Sequence, residues 1–324
     1  MVELHTVKTQ PPKQPIGVIQ SLSSGFDLVS RHPELMLLPI VLDAFLWLGP
    51  RLSAYPLFHA LVDFMNSPDM TEALGPASVQ QMEALPKLLD QTGLAFNLFW
   101  WLSPTLLGVP GLMVGAPASK LPNGPPRVWA ISSGLTYVAL FLGLSLVGLV
   151  LSAAYWGMLA SRVRQEPLSL GRVATLWWGL FKIAILLTVL AVIISFSVLI
   201  AMMLAALLGP LVVQIVALLG FSVVIWVLFY LAFTVHGVAL RDAPVFQAVR
   251  VSVLLMRFHF PPTMGLIFVA LAIYIGLGFV WNIPPSDSWL RAAGILGHAF
   301  VATGLFTATA LYYLDRTRPA ESSQ

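Results

Sequence analysis

Between Lys182 and Arg241 the chain carries no Asp, Glu, Lys or Arg, and Gly209-Pro210 divides this apolar run into two halves. Each half reaches the roughly 20 residues that an α-helix needs to cross hydrocarbon. Lipid accepts such a segment because a helix satisfies its own backbone N–H and C=O groups. Reading the rest of the chain in the same way places helices near 34–51, 128–160, 180–208, 211–240, 262–283 and 289–314. Composition agrees. Of 324 residues, 58% are hydrophobic and only 10% charged, against about a quarter charged in soluble domains. Nothing alternates with the dyad period of an outer-membrane barrel.

The expected fold is therefore all-α, a polytopic transmembrane bundle of about six spans. One transmembrane domain covers 16–316, with an outer region at 52–127. Short polar segments at 1–15 and 317–324 read as disordered cytoplasmic tails, and the first has no apolar stretch behind its lysines to serve as a cleavable signal. The span at 34–51 is short for a bilayer, which points to thinning, to snorkelling by Arg51, or to extension toward Phe58.

Sidedness follows from the bases. With the N-terminus in the cytoplasm, Lys8, Lys13, Arg31, Arg162, Arg164, Arg172, Lys182, Arg241, Arg250, Arg257, Arg316 and Arg318 lie inside. Arg51, Lys87, Lys120, Arg127 and Arg291 lie outside, so twelve of the 17 obey the positive-inside rule. The segment 94–115 is long enough to cross, but Pro104 and Pro110 break it as a plain helix. It reads as a re-entrant or surface-lying stretch anchored by Trp100 and Trp101. The expected location is a prokaryotic plasma membrane, with both termini cytoplasmic.

A weak repeat appears in IQSLSSGFDLVSRHP (19–33), LGRVATLWWGLFKIA (170–184) and VFQAVRVSVLLMRFHF (245–260). Each is amphipathic and carries a base just before a span: Arg31, Lys182 or Arg257. Ile19, Leu22, Phe26 and Val29 share one helical face, as do Val173, Leu176 and Leu180, and Val249, Val253 and Met256. Interfacial helices are thus expected before spans 1, 3 and 5. Arg31, His32, Lys182, Arg257 and His259 are the candidates to meet anionic headgroups or a protein partner at the cytoplasmic face. Within the outer loop, Ser78 and Gln81 form a capping-box pattern ahead of a helix showing Val79, Met82, Leu85 and Leu89 on one side.

Enzyme signatures are missing. No phosphate-cradling glycine loop, HExxH, GxSxG or Asp-rich box occurs, and no two of the six histidines stand at i, i+3 or i+4. With zero cysteines there is no thiolate chemistry. No catalytic residue, cofactor, metal or nucleic-acid partner is expected.

One carboxylate stands out, Asp43 in PIVLDAFLWLGPR. It lies eight residues inward of Arg51, about 12 Å at 1.5 Å per residue. His298 lies nine residues inward of Trp289, about 13 Å on the same scale. An ionised carboxylate near mid-bilayer costs about 2.5–3.5 kcal/mol and needs a partner. The matched depths predict an Asp43–His298 contact between the first and last spans, which Asn282, Gln214 and Tyr274 could join. Such a pair would act as structural glue or as a proton-linked site. His236 reads as an interface residue. The function expected is a non-catalytic assembly, scaffold or lipid-interacting membrane component; the alternative is a small secondary transporter or channel linked to protons through Asp43 and His298. A membrane enzyme acting on lipid stands behind both.

Overall fold

A computed structural model describes residues 16–74, 84–104, 106–116 and 120–318 of the chain. The fold is an all-α bundle, with five helical stretches long and apolar enough to cross a membrane. In chain order the helices are α1 (Val18–Arg31), α2 (Leu37–Leu48), α3 (Tyr55–Met65), α4 (Pro68–Leu74) and α5 (Ala84–Ala95). Then come α6 (Gly134–Arg164), α7 (Leu170–Ala206), α8 (Pro210–Leu231), α9 (Thr234–Arg241), α10 (Val245–Phe258), α11 (Phe260–Trp281) and α12 (Arg291–Arg316). The spanning stretches are α6, α7, α8 with α9, α11 and α12. The tail expected at 1–15, residues 319–324 of the one expected at 317–324, and the Ser78–Gln81 capping box lie outside the described residues.

The span starts follow from local chemistry. Ser133 and Ser169 cap α6 and α7 by accepting the backbone N–H of Thr136 and Arg172. Gly209, at φ 110°, turns the chain so that Pro210 opens α8, a position where its missing N–H costs nothing. Pro261 and Pro262 open α11 in the same way.

The stretch expected to be the first span is shorter than the others. A 3₁₀ turn at Pro33–Met36 leads into α2, whose 12 residues extend about 18 Å. It does not act alone. The chain from Ile16 to Leu48 descends antiparallel along α12. Ile16 N–H donates to the Asp315 carboxylate at 2.8 Å, Phe26 packs on Phe300 with ring centres 5.6 Å apart, and Trp47 reaches Trp289 at 5.7 Å. Trp47 Nε1 also donates to Ser286 O at 2.8 Å.

This corrects the reading of the amphipathic segments. Helix α1 buries Ser21, Gly25 and Val29 against α12, while Ile19 is 83% exposed. A side chain at Gly25 would come within 2.6 Å of Ala308 N and Gly304 O, so the two backbones touch through a small-residue seam. The 170–184 segment is not separate at all, because α7 runs unbroken from Leu170 to Ala206. Helix α10 is separate, ends at His259, and buries Ala248, Ser252, Leu255 and Met256, with α9 as its main neighbour.

Between α2 and α6, strand β1 (Arg51–Ser53) pairs in parallel with β2 (Val128–Ala130), and α3 packs on α5. The segment 94–115 folds into the bundle. A 3₁₀ turn at Leu98–Leu102 gives way to irregular chain in which Leu107, Val109, Leu112 and Met113 are buried. Irregular backbone at this depth is tolerated only where protein covers it.

Candidate functional site

Asp43 is fully buried, and the irregular segment supplies its partners. Asp43 Oδ2 accepts the backbone N–H of Leu112 at 2.8 Å, and Oδ1 that of Met113 at 2.9 Å. These amides have no helical or sheet acceptor, and an unpaired buried N–H is costly, so the carboxylate completes the fold of this segment. The first residue of α12 carries a nearby positive charge. Arg291 is buried and acts electrostatically on Asp43. It also gathers the turn before α12, donating to Asn282 O at 3.1 Å, Pro284 O at 3.0 Å and Asn282 Oδ1 at 2.6 Å.

The expected Asp43–His298 contact is therefore not formed. Although α2 and α12 are neighbours, no hydrogen bond or ion pair joins Asp43 to His298, and each has other company. His298 packs edge-on against Tyr274, with ring centres 5.1 Å apart, and its Nε2 has no hydrogen-bond partner. Tyr274 is close enough to feel the Asp43 charge. Asn282 is taken by Arg291, and Gln214 is exposed on α8, outside this cluster.

A partly open cavity of about 560 Å³ lies next to Gly111, the neighbour of Asp43. Two irregular pieces of backbone form it. One comprises 103–104 and 106–111, held by Ser103 Oγ donating to Val109 O at 2.6 Å and by Trp156 Nε1 donating to Leu107 O at 3.3 Å. The other is the interruption between α8 and α9 at Ala232 and Phe233. There Ser252 of α10 splints the break: its hydroxyl accepts Phe233 N–H at 3.1 Å and donates to Tyr230 O at 2.7 Å.

The rest of the lining comes from Ile183, Leu186 and Leu187 of α7, Ile267, Ala270 and Leu271 of α11, and Leu305 and Phe306 of α12. No Asp, Glu, Lys or Arg is among the described residues that line it. Its polar side chains are Ser103, Thr234, His236, Tyr274 and Thr309. His236 Nε2 shares a hydrogen bond with Thr309 Oγ1 at 3.0 Å, and Trp156 sits edge-on to the imidazole at 5.1 Å. The Oγ1 of Thr234 is buried without a hydrogen-bond partner. His236 is only 6% exposed, so it is a cavity residue and not an interface one.

The basic candidates have other company. Arg31 pairs with Asp27 at 2.8 Å, His32 with Glu34 at 3.1 Å, and Glu34 with Arg162 at 2.9 Å. Lys182 lies 5.2 Å over Trp178 and Arg257 5.7 Å over Phe258, and neither has an acidic partner among the described residues. His259 Nδ1 is buried and unbonded. A four-member ring that sequence reasoning missed joins the α6–α7 and α9–α10 turns. Arg164 and Arg172 each contact both Glu166 and Asp242, at 2.7 to 3.3 Å.

The chain matches no family model, no curated protein and no solved structure. Its function is therefore argued from the cavity.

Proposed function

We propose that this integral membrane protein is a non-catalytic, lipid-interacting component that holds one uncharged, largely apolar molecule in the cavity between α7, α8, α11 and α12. The observation carrying this reading is a charge-free apolar lining around about 560 Å³. Sites for small molecules are mostly apolar, with a few placed polar groups. An ion or a phosphate would lose its hydration there and gain no opposite charge.

A second reading, a carrier of the same molecule, draws on one specific feature. An interrupted helix and a re-entrant segment border the same cavity, as is usual at transport sites built from discontinuous helices. On either reading the ion-paired end near Arg164 is cytoplasmic, the membrane is a prokaryotic plasma membrane, and of the candidate bases Lys182 and Arg257 are left to meet anionic headgroups or a partner.

Mass spectrometry of organic extracts from the purified protein tests the main reading. Wild type should retain a stoichiometric neutral lipid, and Ala270→Trp, which fills the cavity, should lose it. Equal lipid content in the two samples would refute it. Sidedness is checked by labelling Lys87→Cys in intact cells with an impermeant maleimide; the chain has no native cysteine to interfere.

A further inference from the structure

Helices α1 and α10 are built alike. Each has 14 residues, ends at a histidine, His32 or His259, and is followed by a helical turn that proline opens. Laid side by side from their first residues, they bury matching positions: Ser21, Gly25 and Val29 in one, Ala248, Ser252 and Met256 in the other. Their outer faces differ. On α1, Arg31 is paired with Asp27 at 2.8 Å. On α10 the place of Asp27 is taken by Leu254 and that of Ser23 by Arg250. Arg250 and Arg257 are exposed and have no acidic partner among the described residues. Asp242, the carboxylate nearest to them along the chain, is held by Arg164 and Arg172.

At 3.6 residues per turn, Arg250, Leu254, Arg257 and Phe258 fall within about 100° of one another on α10. Phe258 is 69% exposed, so this side sets two bare charges among large apolar groups. It also stands at the mouth of a span. Arg257 lies three residues before Phe260, where α11 begins, about 5 Å along the helix. That matches a headgroup layer of about 5–7 Å. Arg250 is about 10 Å further out, a gap that two long side chains close around one phosphate. Beyond Phe260, α11 exposes Phe268, Val269 and Ile275, as a lipid-facing span does.

Resting on the lipid-interacting reading above, but not on what fills the cavity, we infer that this side of α10 binds the headgroup of one anionic phospholipid. Arg250 and Arg257 take the phosphate, and Leu254 and Phe258 lie beside the hydrocarbon. A guanidinium offers paired donors that fit phosphate oxygens. An acidic protein segment would meet the arginines too, but it leaves the phenylalanine at the mouth of a span without a role; lipid accounts for both.

The test uses the purified full-length protein in detergent, read by native mass spectrometry with added phosphatidylglycerol or phosphatidylcholine of the same acyl chains. Wild type should hold one phosphatidylglycerol in preference to phosphatidylcholine. Arg250→Ala and Arg257→Ala should each weaken it about fivefold, the usual effect of one base beside an anionic surface, and the double variant about thirtyfold. Arg31→Ala, which removes a base already paired, should leave it unchanged. All three arginines are exposed, so the fold should survive, and melting curves verify this.

Equal retention of the two lipids by wild type, or unchanged phosphatidylglycerol binding in the double variant, would overturn the proposal. So would loss of phosphatidylglycerol in Ala270→Trp, because that lipid would then sit in the cavity. A hexaglutamate peptide that binds wild type and not the double variant, with no preference between the lipids, would give this side to an acidic protein segment. A wild type that holds phosphatidylglycerol but no neutral lipid would refute the cavity reading alone.

Discussion

Gly111 occupies a position where any side chain would run into Asp43: a Cβ there would lie 2.8 Å from Asp43 Oδ1. The carboxylate and the glycine are two halves of one device, the glycine letting the backbone come close and the carboxylate taking the next two amides.

Because both carboxylate oxygens accept backbone N–H groups, Asp43→Asn is not a benign isostere. The amide nitrogen would face a donor, and one buried N–H would be left unpaired. We expect a loss of about 1–3 kcal/mol in stability, read as a lower melting temperature in detergent. A melting temperature unchanged from wild type would show that the segment holds itself.

The seam between α1 and α12 should be as sensitive. Gly25→Ala places a methyl against Ala308 N and Gly304 O, backbone atoms that cannot swing aside, so the helices must separate. A cost of about 1–3 kcal/mol is expected from such overpacking. Faster amide hydrogen exchange along 18–31 would report the separation, and wild-type exchange would contradict it.

Ser252→Ala removes both bonds that splint the break between α8 and α9. Phe233 N–H would then be a buried orphan, at about 1–3 kcal/mol. Hydrogen exchange should rise at 230–236 and not in α12. If α10 merely rests on the break, exchange there will stay as in wild type.

The ring of Arg164, Glu166, Arg172 and Asp242 confers a pH dependence of known sign. Hydrogen bonds from Arg164, then Arg172, hold the Glu166 carboxyl below its ordinary range. The native state therefore binds this proton less readily than the unfolded chain. Its contribution is complete above the ordinary glutamate value and declines as pH falls through the lowered native one. Melting temperatures at neutral pH and near pH 3 should differ less in Glu166→Gln than in wild type; an equal difference would exclude the ring as the cause.

Much of the architecture was legible in the residues alone. The transfer of apolar side chains into lipid is close to additive along the chain, so Ile183 to Leu240 had to cross whatever its neighbours did. Gly209-Pro210 marked its turn, and Pro104 and Pro110 marked 94–115 as something other than a plain helix. The need of Asp43 for a partner was equally local, since a carboxylate in hydrocarbon is costly in any fold.

Which partner it found was not local. Tertiary structure alone decided that the amides of Leu112 and Met113 would be the ones lacking acceptors beside it, and that His298 would turn to Tyr274 instead. It also decided the break at Ala232 and Phe233, where no proline or glycine warns of it and Ser252 supplies the missing bonds from another helix. Depth in the membrane follows from a residue count along one helix. The direction a side chain faces depends on how every helix around it is rotated and packed, and a single chain read in order carries no measure of that.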